Sequence, residues 1–178
     1  MSSPTPFCPG HILERGLLSV VLVQPRIPPN VGAISRTCAA TGCPFYIVGP
    51  VMFREDHPKR KRAGLDYWDL AEKHWIEDWD SMVADHSVQK FWFFSKKADR
   101  SLFDVRFHPG DYLVFGNEPD GLSDDILDRF SDRLVRIPMR DGIRSLNLAT
   151  SVAVALYEGI RQITCESNPI DRPPQDTP

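Results

Sequence analysis

Five segments of the chain are continuous runs of apolar residues rather than alternations of apolar and polar ones. A strand with one face in water alternates, whereas a strand covered on both faces does not. The runs therefore predict five buried strands of a mostly parallel sheet: LLSVVLV from Leu17, FYIVG from Phe45, KFWFFS from Lys90, YLVFG from Tyr112 and RLVRIP from Arg133.

Helical patterns separate these runs. Asn30 suits a helix N-cap and Gly42 suits the position after a helix, so a first helix is predicted from Val31 to Thr41. The segment EDWDSMVADH is typical of a second helix. A short helix is also predicted from Pro58, leading to AGLDYWDLAE.

The carboxyl-terminal half predicts two more helices. Ser123 caps DDILDRF, in which two Asp residues are favourable near the positive end of the helix dipole. The last helix spans about Leu148 to Ile163, and its apolar residues recur every three or four positions. The order β-α-β-(α)-β-β-α-β-α predicts a three-layer α/β fold with a mostly parallel sheet.

The length of the chain indicates its domain organisation, and its net charge limits how it binds nucleic acid. The 178 residues are enough for one domain, expected at 17–165, between flexible Pro-rich ends at 1–16 and 166–178. The formal net charge of −3 excludes a general attraction to nucleic acid, so any such contact comes from a local patch. The run HPKRKR, which contains Lys59 and Arg60, is either a solvated loop or that patch.

Other features bear on location and on metals. The chain has no apolar run of about 18 residues and no basic start followed by an apolar core, so we expect no membrane span and no secretory signal. The cysteines Cys8, Cys38, Cys43 and Cys165 lack the partners of a zinc set. We therefore expect no metal, and reduced thiols in a cytoplasmic protein.

Polar residues follow three of the predicted strands, where ligands of parallel α/β sheets bind. In QPRIPPNVGAISR, Gly32 and Arg36 lie four residues apart on one helix face. The glycine leaves a hollow in which the guanidinium is able to hold a phosphate or ribose through two hydrogen bonds. The alternative is an arginine that a carboxylate or helix C-termini satisfy.

The other two loops follow the fourth and fifth predicted strands. VFGNEPDGLS places Glu118 between Gly116 and Gly121, without the signature of a phosphate loop or a dinucleotide fingerprint. It is either a ligand loop or a simple glycine turn. In RIPMRDGIRSLN, polar residues that include Ser145 and Asn147 precede the last helix, and the apolar Ile137 and Met139 flank them. That combination suits an adenosine moiety or an ordinary helix cap.

The three blocks occur in a specific order: Asn30-x-Gly32-x-x-x-Arg36, then FGNE, then IPM with RSLNLATSVAVALYE. In this order they resemble the SpoU branch of the SPOUT RNA 2′-O-methyltransferases, over about Val20 to Gln162. AGLDYWDLAE is similar to a segment of the small TrmL-like members, which lack an added RNA-binding domain. The sequence departs from those members at Pro119-Asp120 and in NLAT.

The resemblance implies a fold and an activity. The carboxyl-terminal part is expected to form a deep trefoil knot that binds S-adenosylmethionine in a bent form. The protein is expected to be a homodimer with the last helix in the interface. Its substrate is expected to be tRNA, methylated on the ribose 2′-oxygen of the wobble cytidine or uridine at position 34.

The resemblance also implies site residues, by position. Residues at the cofactor are expected to be Phe94, Ser95, Gly116, Ile137, Met139 and Ser145. The catalytic set facing the substrate is Arg36, Asn30, Glu118 and Asn147, and the RNA-binding set is Arg36, Tyr157, Arg161, Lys59 and Arg60. A guanidinium stays protonated in proteins, so Arg36 is expected to stabilise developing negative charge rather than act as the base.

Three alternatives remain at this point. The first is 2′-O-methylation at another tRNA site or in ribosomal RNA by the same fold. The second is a non-catalytic RNA-binding module, which need not bind S-adenosylmethionine. The third is a generic nucleotide-binding α/β protein, and the missing phosphate-loop signatures count against it.

Overall fold

The apolar runs form a parallel sheet. The computed structural model describes residues 16–51 and 67–167, and the sheet of that part has the strand order β3-β2-β1-β5-β4-β6 with every pairing parallel. Its strands are β1 (Leu18–Val23), β2 (Phe45–Val48), β3 (Lys73–Ile76), β4 (Phe91–Phe94), β5 (Asp111–Phe115) and β6 (Leu134–Val135). The predicted α/β class with a parallel sheet is confirmed.

The five predicted strands are all present, and the described ranges contain one further strand that was not predicted. Every residue of β1 is buried, which explains why its sequence does not alternate. The missed strand is β3, which pairs only with β2 among the described strands. Its sequence KHWI holds two polar residues, and none of its side chains is fully buried. An edge strand needs no continuous apolar run, so periodicity alone does not find it.

Helices cover both faces of the sheet. The structure has α1 (Pro28–Thr41), α2 (Trp79–Asp85), α3 (Asp124–Arg129) and α4 (Leu148–Ser167) in its described ranges. On one face, Ile34 of α1 and Leu156 of α4 join one apolar cluster. On the other face, Met82 of α2 and Ile126 of α3 join a second. The result is the predicted three layers.

The ends of the helices differ in part from the prediction. Asn30 is not the N-cap of α1, because the helix begins at Pro28 and Ile27 caps it. Proline suits the first helical positions, since its φ is preset and its missing N–H needs no partner there. Gly42 does end α1, in the left-handed conformation with a φ of 68°. The last helix begins at Leu148 as predicted and extends to Ser167, beyond the predicted end at Ile163.

Close packing fixes α4 across the sheet. Gly159 lies against β1, where an added Cβ would be 2.5 Å from Cδ1 of Leu18. The side chain of Gln162 accepts a hydrogen bond of 3.0 Å from the backbone N–H of Phe107. These contacts fix the position of α4. Its N-terminus lies at the carboxyl ends of the strands, next to the candidate site. In the described ranges, no helix is both long and apolar enough to cross a membrane.

Candidate functional site

A cavity of about 360 Å³ lies at the carboxyl ends of the strands. Its volume is in the range of small-molecule sites, and its position is where parallel sheets bind ligands. The loops after β1, β4, β5 and β6 all contribute to its wall. The predicted site residues that line it are Asn30, Phe94, Ser95, Gly116, Glu118, Ile137, Met139, Ser145 and Asn147.

Two aromatic rings form an apolar part of the wall. Phe94 ends β4 and Phe115 ends β5, and the two residues are paired in the sheet. Their rings stack with centroids 4.5 Å apart and an interplanar angle of 11°. Ile137 packs against the same apolar cluster from the loop after β6. A flat apolar wall of this kind suits a planar ring of a ligand.

A tight turn follows β5 and brings backbone to the cavity. The backbone groups of Asn117 and Gly121 exchange two hydrogen bonds, of 3.2 and 3.0 Å, and the side chain of Asn117 accepts one of 2.8 Å from the N–H of Asp120. The closed turn lies directly against Gly116. An added Cβ at Gly116 would overlap backbone atoms of Gly121 and Leu122. Glycine is therefore required here by space.

Three predicted residues form a hydrogen-bonded polar clamp, defined by Asn30, Glu118 and Asn147. The amide Nδ2 of Asn30 donates to Oε1 of Glu118 at 2.9 Å. The amide Nδ2 of Asn147 donates to Oδ1 of Asn30 at 3.0 Å. Asn147 also caps α4, because its Oδ1 accepts from the backbone N–H of Ala149 at 2.9 Å. The clamp thus ties together the loops after β1, β5 and β6.

The carboxylate of Glu118 also serves the start of α1. It accepts hydrogen bonds from the backbone N–H of Arg26 at 2.8 Å and of Ile27 at 3.1 Å. A negative charge near a helix N-terminus is favourable, and α1 has no acidic residue in its own first turn. With the amide of Asn30, three donors occupy this carboxylate. The geometry suits a group that holds loops together rather than one that accepts a proton from a substrate.

Replacing Glu118 with glutamine is expected to lower the free energy of unfolding by about 1–3 kcal/mol. The amide keeps the size of the side chain but turns one acceptor oxygen into an NH₂ group. That group faces an N–H donor, so at least one of the three donors on this side chain loses its partner. Urea unfolding measures the change. Glu72→Gln is the matched control, since this exposed carboxylate contacts the ring of His74 at 3.2 Å at the surface, and it is expected to stay within about 0.5 kcal/mol of the unaltered protein. Equal losses in both variants would contradict the clamp.

Two ion pairs at the rim of the cavity were not predicted. Arg26 and Asp120 approach to 2.9 Å and join the loops after β1 and β5. Lys97 and Asp124 approach to 2.6 Å and join the loop after β4 to the start of α3. The hydrogen bond between them raises the pKa of Lys97 and lowers the pKa of Asp124. Because the partners lie far apart in sequence, no local pattern signals either pair.

The remaining cofactor-site candidates sit on irregular backbone around the cavity. The N–H of Ser95 donates to the carbonyl of Val135 at 3.0 Å, and its hydroxyl accepts from the N–H of Lys97 at 3.2 Å. Met139 is half-buried, and Ser145 is exposed. Both belong to the segment between β6 and α4, which brings them to the cavity without a regular element.

Three of the candidate RNA-binding residues, Arg36, Tyr157 and Arg161, do not line the cavity. Arg36 is exposed on α1 and is not among the residues of the described ranges that line the cavity; its guanidinium lies over the ring of Tyr67. Asn30, six residues earlier, is about 9 Å away along the axis and on a different helix face. Tyr157 and Arg161 are exposed on α4, where Arg161 pairs with Glu158 at 2.8 Å. Lys59 and Arg60 lie outside the described residues.

The described cysteine side chains contribute to the core rather than to the chemistry of the site. Cys38 and Cys43 are buried free thiols, and burial raises the pKa of both. A buried thiol of raised pKa is a poor nucleophile at neutral pH. In residues 16–51 and 67–167, no group of three or more His, Cys, Asp or Glu side chains is placed to hold a metal ion.

Comparison with protein families gives one match that spans most of the chain. The model of the SpoU rRNA methylase family matches residues 17–157. Among curated proteins, the tRNA (cytidine(34)-2'-O)-methyltransferase of Burkholderia ambifaria is 43% identical over 149 residues, covering 82% of this chain and 96% of that protein. The putative tRNA (cytidine(34)-2'-O)-methyltransferase of Bacillus subtilis is 39% identical over 148 residues, covering 82% and 92%.

Solved structures give the same picture. A structure described as giving insights into the 2-OH methylation of C/U34 on tRNA is 42% identical and has a TM-score of 0.78; the match covers 83% of this chain and 96% of that one. The SpoU methyltransferase AviRb of Streptomyces viridochromogenes, in complex with the cofactor AdoMet, is 27% identical with a TM-score of 0.70. That match covers 84% of this chain and 59% of that one.

Proposed function

Because the chain belongs to the SpoU rRNA methylase family, we propose that it methylates the 2′-oxygen of the ribose at position 34 of tRNA, a cytidine or uridine, with S-adenosylmethionine as the methyl donor. The observation that carries this proposal is that residues from three separate sequence blocks line one cavity. In curated relatives of about the same length, the named substrate is cytidine 34 of tRNA.

The cavity has the features that S-adenosylmethionine needs. The stacked rings of Phe94 and Phe115 offer an apolar surface for adenine, and Ile137 and Met139 extend it. Gly116 lets the turn after β5 pack closely enough to form part of the wall, and Ser95 and Ser145 add polar groups. When bound, the cofactor supplies a sulfonium methyl group that an oxygen nucleophile attacks.

We assign the polar clamp to positioning. Asn30, Glu118 and Asn147 hold three loops of the cavity in register, and the three donors on Glu118 leave it poorly suited to proton transfer. Holding reactants in a fixed geometry is itself a large part of catalysis. Loss of the 2′ proton from the ribose hydroxyl falls to a group that we leave unassigned.

We assign Arg36 to the RNA. It projects from α1 outside the cavity of its own chain, so its guanidinium meets a nucleotide that enters from the surface rather than the cofactor. There it grips a phosphate and stabilises negative charge that develops on the ribose oxygen. On this proposal Tyr157, Arg161, Lys59 and Arg60 add contacts to tRNA farther from the reacting atoms.

The proposal includes a trefoil knot in the carboxyl-terminal part and a homodimer with α4 at the interface. Support for the dimer comes from an apolar side chain that α4 leaves in solvent: Val154 is 39% exposed. An apolar surface on a helix face favours a protein partner. Since tRNA is the substrate, we place the protein in the cytoplasm, and we assign no metal to the reaction.

The test is mass spectrometry of tRNA nucleosides after incubation with the protein and isotope-labelled S-adenosylmethionine. Labelled 2′-O-methylcytidine or 2′-O-methyluridine is expected, and nuclease mapping is expected to place it at position 34. Label at another tRNA position or in ribosomal RNA would overturn the choice of site. Calorimetry with S-adenosylmethionine tests the enzyme class, since failure to bind the cofactor would identify a non-catalytic RNA-binding module.

A further inference from the structure

The side chain of Arg36 rests on an aromatic ring that the proposed function leaves without a role. Its guanidinium carbon lies 4.9 Å from the centroid of the Tyr67 ring. Tyr67 is 43% exposed, so the pair is at the surface and open to a large partner. A cation over the face of an aromatic ring is attracted to it, and arginine stacks in this way especially well.

Tyr67 is itself held in place by its neighbours. Trp68 is only 4% exposed, and its ring packs edge-on against Phe45 of β2 with centroids 5.9 Å apart. The carbonyl of Trp68 accepts a hydrogen bond of 2.9 Å from Nζ of Lys73. The carbonyl of Tyr67 accepts one of 3.1 Å from the N–H of Ala71. The ring under Arg36 therefore belongs to a segment anchored in the core.

Stacking orients a guanidinium without using its donors. The ring contacts the flat face of the group, while the N–H bonds point outward in the plane of the guanidinium. Those bonds are the ones that meet phosphate and ribose oxygens in a forked geometry. The long side chain of arginine otherwise has many rotamers, and ordering it in advance removes part of the cost of meeting the substrate.

We propose that Tyr67 is a positioning residue, whose ring holds the guanidinium of Arg36 in the orientation in which it meets the RNA. The inference rests on the proposed function, because it gives Tyr67 a role through the role of Arg36. It goes further by assigning that role to a residue of the segment between β2 and β3 that does not line the cavity. The aromatic ring, rather than the hydroxyl, is the part that acts.

The experiment compares Tyr67→Leu, which removes the ring, with Tyr67→Phe, which keeps it. Single-turnover methyl transfer at saturating tRNA is expected to slow about two- to fivefold in Tyr67→Leu and to stay unchanged in Tyr67→Phe. The affinity for S-adenosylmethionine, measured by calorimetry, is expected to stay the same in both. In NMR spectra, the ring-current shift of the Arg36 Cδ protons is expected to vanish in Tyr67→Leu and to persist in Tyr67→Phe.

Two further variants separate positioning from a general structural effect. Leu70→Ala is the matched control, because Leu70 is in the same segment and is 73% exposed; it is expected to transfer at the unaltered rate. In an Arg36→Ala background, Tyr67→Leu is expected to cause no further loss. Unchanged transfer by Tyr67→Leu, or an equal loss with and without Arg36, would overturn the positioning role alone. Absence of transfer by the unaltered protein would instead overturn the proposed function, and the catalytic consequence of the stack with it.

Discussion

Replacing Gly116 with alanine is expected to weaken the binding of S-adenosylmethionine about ten- to hundredfold. The added Cβ would overlap the backbone of Gly121 and Leu122, and backbone atoms are unable to rotate out of the way as a side chain does. The turn from Asn117 to Gly121 must then move away from β5. That movement breaks the two hydrogen bonds within the turn and shifts Glu118 away from Asn30. The part of the cavity wall that the turn forms is therefore disturbed.

Calorimetric titration with S-adenosylmethionine measures this effect, and urea unfolding shows whether the variant remains folded. Gly142→Ala is the matched control. Gly142 has a φ of 85° in the loop before α4, but an added Cβ there would meet no atom within 4 Å. It is expected to cost about 1 kcal/mol of stability through backbone strain alone and to bind the cofactor normally. Normal binding by Gly116→Ala would show that the turn does not shape the cofactor site.

Most of the sheet could be predicted from the sequence because its strands are buried on both faces. A run such as LLSVVLV admits few other structures once it is known to be short and rich in β-branched residues. The edge strand β3 escaped the same reasoning because its partial exposure allows Lys73 and His74 within it. Strand order was also beyond the reach of periodicity, since β5 lies between β1 and β4 only through long-range pairing.

The sequence predicted nine of the residues that line the cavity but none of the hydrogen bonds between them. The family resemblance implied that Asn30, Glu118 and Asn147 belong to one group. The general preference of asparagine for the N-cap led to the wrong role for Asn30 as a helix cap, because proline at the start of α1 and a carboxylate from a distant loop replace a local cap. Hydrogen bonds between residues about ninety positions apart leave no trace in local sequence. The rim ion pairs and the Tyr67 contact were also missed, because their partners lie on different elements with no local pattern between them.

The clamp also explains how the three loops depend on one another. Glu118 follows β5, yet it completes the start of α1, and Asn147 starts α4 while it holds Asn30. A change in any one loop therefore alters the donors and acceptors left in the other two. For this reason substitutions in the clamp are expected to be non-additive, whereas substitutions in the clamp and in the rim pair Lys97–Asp124 are expected to add.

Replacing Arg36 with alanine is expected to slow methyl transfer about a hundred- to thousandfold while leaving cofactor binding intact. Removal of one donor that stabilises a developing negative charge costs about a hundred- to thousandfold in rate. Arg36 does not line the cavity, so the cofactor site is expected to keep its affinity. Transfer of labelled methyl groups to tRNA measures the first effect, and calorimetry with S-adenosylmethionine measures the second.

The planar shape of the Arg36 side chain, and not only its charge, is expected to determine the rate of methyl transfer. Arg36→Lys keeps the positive charge but loses the planar fork and much of the stacking on Tyr67, so it is expected to restore only a small part of the activity. Arg129→Ala is the matched control, since Arg129 is half-exposed on α3 and pairs with Asp80; full activity is expected. Transfer by Arg36→Ala at the unaltered rate would remove Arg36 from the reaction. Loss of cofactor affinity in the same variant would assign it to the fold of the cavity instead.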